Sequence, residues 1–131
     1  TPEVATTGDF NGDHHLDLVV THQNLQLVSV YLGKGDGTFQ FPLELTTNSN
    51  PFGAVAIDSN VDGKLDLAIT TLSGYLNIFL GRGDGTFTPK IATLISGSPR
   101  YLAAGNLNAD TKPDLAIPVY DVGSVDVLLA H

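Results

Sequence analysis

The sequence contains no cysteine and no methionine, and it has only six lysine and arginine residues against fourteen aspartates and glutamates. Without cysteine, a disulfide framework and a thiolate metal site are both excluded. The formal net charge of −8 disfavours the polyanionic backbone of nucleic acid as a partner and favours cations. No apolar run approaches the roughly 18 residues that a membrane-spanning helix needs, and no signal peptide is visible. Since the sequence does not begin with methionine, we expect a processed product or an excised segment.

Three landmarks recur along the chain at one period. Pro2, Pro51 and Pro99 are separated by 49 and 48 residues, and each stands seven residues before an Asp or Asn. The second landmark is the segment LDLVV, LDLAI or PDLAI, and the third is VSVYLGKGDGTF, LNIFLGRGDGTF or the shorter VDVLLAH. Their agreement predicts a single repeat domain over residues 1–131. Its repeats span about 2–50, 51–98 and 99–131, and the last stops where GDGTF is expected.

The repeats have the apolar periodicity of β-strands. Leu16, Leu18 and Val20 stand at alternate positions, and the later segments show the same period of two. The intervening positions are partly apolar, as in a sheet that is packed on both faces. Each Asp-Gly pair of the GDGTF segments predicts a tight turn, after which we expect a fourth strand to begin at Phe39 and at Phe87. Four short antiparallel strands in a repeat of about 40–50 residues form a propeller blade. The predicted fold class is therefore all-β, with three β-propeller blades of which the last is incomplete.

An oxygen-rich loop separates the first two predicted strands of every repeat. The loops are DFNGDHHLD, DSNVDGKLD and NLNADTKPD, and all three have oxygen-bearing side chains at positions 1, 3, 5 and 9. Ca²⁺ takes six to eight oxygen ligands at about 2.3–2.6 Å, whereas Mg²⁺ prefers a smaller octahedral shell that retains water. The pattern therefore predicts up to three Ca²⁺ sites, with position 7 contributing its backbone carbonyl. The predicted metal ligands are Asp9, Asn11, Asp13, His15 and Asp17 in the first loop, Asp58, Asn60, Asp62, Lys64 and Asp66 in the second, and Asn106, Asn108, Asp110, Lys112 and Asp114 in the third, with His15, Lys64 and Lys112 acting through the backbone carbonyl.

EF-hand loops and ordinary turns share part of this pattern. An EF-hand loop ends in a bidentate Glu at position 12 between helices, but Val20, Ile69 and Ile117 hold that position within strand patterns. Asp and Asn also fill ordinary turns, although three copies at one period favour metal binding. Asp-rich loops without a Lys or Arg partner would repel one another unless a cation neutralised them.

The three predicted sites differ in charge. The first two loops contain three carboxylates each, while the third contains two carboxylates and two amides. Fewer charges weaken Ca²⁺ binding. Only the second loop has a glycine at position 6, Gly63, where a sharp bend requires a positive φ. We expect the affinities to fall in the order second, first, third.

The loops and hairpins resemble FG-GAP/VCBS repeats, a family that includes the propeller of integrin α subunits and many bacterial secreted proteins. The matching segments are GDFNGDHHLDL, IDSNVDGKLDL and the two GDGTF hairpins, and they extend over nearly the whole chain. The FGA segment at residues 52–54 matches the name motif of the family in the second repeat. The resemblance implies a β-propeller with Ca²⁺ between the first and second strands of a blade, at the ligand positions given above. This chain departs from the family pattern at His14, Asn106, Asn108 and Thr111, which lowers the expected strength of the sites.

A complete propeller has four to eight blades, and the sequence leaves three arrangements open. The chain is a fragment of a longer propeller, or copies close one ring, as two chains would close six blades, or a neighbour supplies the missing strand in an open array. No nucleophile elbow, P-loop or dinucleotide fingerprint is present. The Arg-Gly-Asp triplet at 82–84 matches an integrin-recognition tripeptide, but Lys-Gly-Asp at 34–36 indicates that it belongs to the hairpin.

The predicted function is that of a non-catalytic, secreted or cell-surface module with a structural, adhesive or interaction role. Bound Ca²⁺ would rigidify its inter-strand loops, and millimolar Ca²⁺ outside cells would keep even weak sites occupied. The alternative is a propeller module of a secreted lectin or hydrolase that binds a glycan or another ligand between blades. A convergent polar cluster on one rim would favour this alternative, and none is visible in the sequence.

Overall fold

In the computed structural model, which describes residues 1–130, the chain forms three antiparallel sheets and no helix. Each sheet corresponds to one repeat, and the strands of a sheet are neighbours in sequence order. His131, the last residue of the predicted third repeat, lies outside the described residues. The strands are β1 Pro2–Gly8, β2 Asp17–His22, β3 Leu27–Tyr31 and β4 Leu43–Thr46 in the first sheet, β5 Pro51–Ile57, β6 Asp66–Thr71, β7 Tyr75–Phe79 and β8 Ile91–Leu94 in the middle sheet, and β9 Ala103–Gly105, β10 Asp114–Val119 and β11 Ser124–Leu128 in the third. The prediction of four-stranded units with an incomplete third unit is confirmed.

The predicted start of the fourth strand was wrong. Phe39 forms only an isolated bridge with Gly33, and β4 begins four residues later at Leu43. The residue before β4 is Pro42, which has no N–H to donate to a continuous ladder. The chain therefore leaves the hairpin, makes one bridge, and resumes pairing only after the proline. The same correction holds in the middle sheet, with Phe87, Pro89 and Ile91.

The core of the protein lies between the sheets, in two clusters. All six residues of β6 are buried, which confirms that the middle sheet is packed on both faces. In the first sheet the buried positions of β2 are Asp17, Val19 and Thr21, whereas Leu16 is 68% exposed. The cluster between the first and middle sheets contains Phe10, Val19, Val28, Val30, Leu67, Ile69, Phe79 and Phe87. The cluster between the middle and third sheets contains Ile57, Ala68, Leu76, Leu115 and Ile117.

Repeated hydrogen bonds link each sheet to the next. The Thr21 hydroxyl donates to the carbonyl of Phe52 at 2.9 Å, and the Thr70 hydroxyl donates to the carbonyl of Arg100 at 2.8 Å. Gly53, the residue after Phe52, lies against the third repeat, where a Cβ would be 2.4 Å from the Arg100 carbonyl oxygen. The FG pair thus stands where the backbones of two repeats approach too closely for a side chain. Over residues 1–130, no helix has the length and apolarity that a membrane span requires.

Candidate metal-binding loops

The three oxygen-rich loops occupy the same place in their sheets. The loops begin directly after β1, β5 and β9, and their position 9 is the first residue of β2, β6 and β10. Because the sheets share one strand order, the loops fall at equivalent edges of successive sheets. Each loop therefore starts from and returns to a fixed strand end, which limits the conformations it adopts.

The first loop is folded around its position-1 carboxylate. Asp9 Oδ1 accepts the backbone N–H groups of Gly12 at 2.7 Å and Asp13 at 3.2 Å, and Oδ2 accepts that of His14 at 2.9 Å. Asn11 Oδ1 accepts the Asp13 N–H at 3.1 Å, and Asp13 Oδ1 accepts the His15 N–H at 2.9 Å. The side chains at positions 1, 3 and 5 thus bend the backbone by replacing its missing hydrogen bonds.

The second loop repeats this arrangement. Asp58 accepts the N–H groups of Asp62 at 3.0 Å and Gly63 at 2.9 Å, and Asp62 accepts that of Lys64 at 3.0 Å. Position 6 has a positive φ in both loops, 67° at His14 and 84° at Gly63. The predicted bend is therefore present, and in the first loop a histidine adopts the conformation that glycine accepts without cost.

The third loop departs from the other two at positions 1 and 6. Asn106, which has one side-chain oxygen instead of two, donates its amide N–H to the backbone carbonyl of Asp110. Thr111 at position 6 does not adopt a positive φ. The turn between positions 5 and 7 is retained, because Asp110 accepts the N–H of Lys112 at 2.7 Å. Asn108, by contrast, matches Asn11 and Asn60, and its amide oxygen accepts the N–H of position 5 in the same way. The amide at position 1 therefore accompanies a change in the backbone of the loop as well as in its charge.

The aspartates at position 9 have a structural role that the sequence analysis missed. Asp17 is completely buried, and its two oxygens accept the N–H groups of Phe10 and Gly33, both at 2.8 Å. A buried carboxylate is costly unless it is hydrogen-bonded, and these two bonds join the loop to the end of the third strand. The equivalent pairs are Ser59 and Gly81 at 3.0 and 2.7 Å for Asp66, and Leu107 and Ala130 at 2.7 and 2.9 Å for Asp114. A sequence signal for this contact is the Asp-Leu pair of each repeat, which is followed 15 or 16 residues later by Gly33, Gly81 or Ala130.

The predicted ligands of each loop are near one another but do not form a preassembled cage. Among residues 1–130, no group of three or more His, Cys, Asp or Glu side chains is arranged to hold a metal ion. The carboxylates are directed at backbone N–H groups, as described above, and a carboxylate oxygen that accepts one such bond keeps a second lone pair. The donor set of carboxylate, amide and carbonyl oxygens matches the ligands that Ca²⁺ takes. The chemistry of the loops therefore fits Ca²⁺, although the side chains have not converged on one centre.

Hydrogen-bond donors and two basic side chains lie beside the carboxylates. Hydrogen bonds from the His15 N–H and the Asn11 amide hold the pKa of Asp13 below its usual range. Lys64 Nζ lies 3.9 Å from Asp62 Oδ2, and His14 Nδ1 lies 3.9 Å from Asp9 Oδ2. The expectation that these loops have no basic partner was wrong for the second loop. Both pairs are exposed to solvent, so each contributes little to stability.

A family model for the FG-GAP-like repeat matches residues 9–69 and 58–117. The chain belongs to the FG-GAP-like repeat family. Each match begins at position 1 of one loop and ends in the second strand of the following sheet, so the two matches together cover all three loops. A search of curated proteins found no match to this chain.

The GDGTF hairpins of these FG-GAP-like repeats are closed by their own aspartates. Asp84 Oδ1 accepts the backbone N–H of Thr86 at 2.9 Å and its hydroxyl at 2.6 Å. Asp36 and Thr38 make the same two bonds at 2.9 and 2.6 Å. These bonds, led by the threonine hydroxyl, hold the pKa of both aspartates below its usual range. The aspartate of the Arg-Gly-Asp triplet is thus engaged within its own turn.

Proposed function

We propose that this chain is a non-catalytic Ca²⁺-binding module of FG-GAP-like repeats that acts outside the cell in a structural or adhesive role. The observation that carries the proposal is the shared fold of the first two loops. In each loop the position-1 carboxylate accepts hydrogen bonds from the N–H groups of positions 5 and 6, and further oxygen-bearing side chains follow at positions 3 and 5. Bound Ca²⁺ would offset the negative charge of the carboxylates in these loops.

The exposed and the buried aspartates of the first two loops have different roles. Asp13 and Asp62 lie on exposed loop backbone, where small rotations would turn their free lone pairs toward an ion. Asp17 and Asp66 are completely buried and hold the loop against the third strand. The ion would therefore stiffen the exposed half of a loop whose other half is already anchored. FG-GAP-like repeats are typical of extracellular proteins, where abundant Ca²⁺ would keep weak sites occupied.

Thermal unfolding in excess EDTA, with Ca²⁺ or Mg²⁺ restored afterwards, tests the proposal. A site at a free Ca²⁺ concentration 100-fold above its Kd stabilises the folded chain by about 2.7 kcal/mol. We expect Ca²⁺ to raise Tm well above its value in EDTA and equal Mg²⁺ to restore much less. Calorimetric titration should detect up to three Ca²⁺ per chain. A chain with the same Tm in EDTA and in Ca²⁺ would show that the loops are ordinary turns.

Matched variants separate site binding from a general effect of charge. Asp13→Asn and Asp62→Asn each remove one exposed carboxylate from a loop, and we expect each to weaken Ca²⁺ binding at its own loop. Asp36→Asn makes the same change in a hairpin turn and should leave the Ca²⁺ titration unchanged. Equal effects of all three variants would contradict a specific site. Glycan binding or turnover of an ester or glycoside would support the lectin or hydrolase alternative.

A further inference from the structure

The first sheet has an uncovered apolar surface, which we call the front face. It consists of Leu18, Val20, Tyr31 and Phe39. Leu18 pairs with Tyr31 across β2 and β3, on the side opposite Val19, which is buried against the middle sheet. Among the described residues, none of the four front-face side chains belongs to either core cluster, and Phe39 is 40% exposed.

The third sheet has a second uncovered surface, which we call the back face. It consists of Ala116, Pro118, Val125 and Val127. Ala116 pairs with Val127 and Pro118 with Val125, so all four lie on one side of the sheet. Ile117, on the other side, is fully buried against the middle sheet. Val125 and Val127 remain 59% and 52% exposed.

The back face repeats a surface that is buried twice within the chain. Aligned on the repeats, Val125 and Val127 correspond to Leu76 and Ile78 of the middle sheet. Leu76 is only 4% exposed because it packs in the cluster shared with the third sheet, and Ile78 packs against that cluster. One repeat earlier, the same positions belong to Val28 and Val30, at 0% and 1% exposure.

The front face repeats the surface that receives such a sheet. Tyr31 and Phe39 correspond to Phe79 and Phe87, which are 3% and 8% exposed in the cluster shared with the first sheet. The other two equivalents are fully buried in the same cluster: Leu67 for Leu18 and Ile69 for Val20. The chain thus exposes both halves of an interface that it forms twice internally.

The contacts beside this interface are also duplicated. The Gly85 N–H donates to the Phe10 carbonyl at 3.0 Å, and the Phe10 ring meets Phe87 edge-on at 5.6 Å. A Cβ on Gly85 would lie 2.8 Å from Leu32. The equivalent residues at the two uncovered faces are exposed. Gly37 corresponds to Gly85, and a Cβ there would meet nothing within 4 Å. Leu107 corresponds to Phe10 and is 54% exposed, Phe39 corresponds to Phe87 at 40%, and Leu129 corresponds to Leu32 at 42%.

We propose that two copies of this chain pack head to tail, with the back face of each copy on the front face of the other. Two such contacts bring together six sheets, which is within the four to eight of known propellers. Head-to-tail contacts form a closed ring when the rotations between successive sheets add up to a full turn, and an open filament when they do not. We infer the closed pair, in which both front faces and both back faces are covered and none is left to recruit a third copy. The two faces contain none of the predicted Ca²⁺ ligands.

One residue makes the contact between copies weaker than those within a chain. Thr21 and Thr70 donate hydroxyl hydrogen bonds to the following repeat. Pro118 occupies the corresponding position of the third repeat and has no hydroxyl. The intermolecular contact therefore relies on apolar burial, and we expect dilution to separate the copies while each chain stays folded.

Sedimentation equilibrium over a range of concentrations measures the association directly. We expect a reversible transition from the 13.8 kDa chain to twice that mass. Val127→Glu on the back face and Val20→Lys on the front face each place an unpaired charge in the contact, which is costly when buried. Each variant should weaken the dimer by at least about tenfold, which corresponds to 1.4 kcal/mol. Leu94→Glu on the exposed β8 is the matched control and should not change the dimer.

Mixing the two face variants provides the decisive measurement. A Val127→Glu chain keeps an intact front face and a Val20→Lys chain keeps an intact back face, so a mixture should form a one-to-one heterodimer through the intact pair. Circular dichroism of each variant shows that it is folded. A wild-type chain that stays monomeric at all concentrations would overturn the proposal. So would an open series of larger oligomers, or a mixture that associates no better than its components.

Discussion

The Asp17 carboxylate accepts the backbone N–H of Gly33 at 2.8 Å, so the first residue of β2 holds the chain just beyond the end of β3. The same bond joins Asp66 to Gly81 at 2.7 Å. A residue that sequence analysis assigns to a metal site is thus also an anchor between a loop and a strand. The stability of the chain without metal therefore depends on these buried aspartates more than on the exposed ones.

Replacement of Asp66 by alanine tests this anchor. The change leaves the buried N–H of Gly81 and the half-buried N–H of Ser59 without their acceptor, and an unsatisfied buried donor costs about 1–3 kcal/mol. We expect the free energy of unfolding to fall by about 3 kcal/mol in urea titrations in excess EDTA, where metal does not contribute. Asp62→Ala, at an exposed loop position, should cost less than about 1 kcal/mol. Equal losses in the two variants would contradict the anchoring role.

Replacement of Gly81 by alanine tests the close approach beside the same bond. A Cβ at Gly81 would lie 2.1 Å from the Leu65 carbonyl oxygen, so the backbone must shift. We expect a loss of about 1–3 kcal/mol in denaturant unfolding. Gly105→Ala is the matched control, because a Cβ there meets nothing within 4 Å and the φ is not positive. A Gly81→Ala chain as stable as the control would show that this contact is easily relieved.

Removal of the Thr86 hydroxyl is expected to raise the pKa of Asp84 in the second GDGTF hairpin. The hydroxyl and N–H of Thr86 hold the pKa of Asp84 below its usual range. A carboxylate whose pKa is lowered by folding stabilises the fold above its unfolded value, near 3.9, and the contribution is lost as pH falls through the folded pKa. Thr86→Val removes the hydroxyl alone, so the pKa of Asp84 should rise in an NMR titration. The pKa of Asp36, in the equivalent turn, should stay unchanged. An unmoved Asp84 would refute the assigned cause.

The three loops should differ in Ca²⁺ affinity in the order second, first, third. The third loop has one carboxylate fewer, its Asn106 donates where Asp9 and Asp58 accept, and Thr111 lacks the positive φ of His14 and Gly63. We expect its Kd to be at least about tenfold higher than that of the second loop. Calorimetry on chains in which two loops are disabled by alanine at position 1 isolates each site. A third loop that binds most tightly would reverse the order.

Much of this architecture could be predicted from the sequence because the chain contains internal repeats. Any single apolar run is ambiguous, but a strand pattern that recurs with Pro2, Pro51 and Pro99 at one period indicates units of one kind. The start of the fourth strand was misplaced because the Asp-Gly turn predicts where a hairpin reverses and not where pairing resumes. Pairing with β3 resumes at Leu43, directly after Pro42. The residue at which it resumes depends on the position of β3.

The sequence alone determined the β-repeats, the incomplete third sheet and the oxygen-rich loops, because these depend on local periodicity and on the residue types that favour turns. Only the tertiary structure decided that Asp17 is buried and holds Gly33, and that Gly53 lies against Arg100. It also decided which apolar faces stay uncovered. These features arise where segments far apart in the sequence meet, and the spacing of residues along one strand does not specify which neighbour covers it.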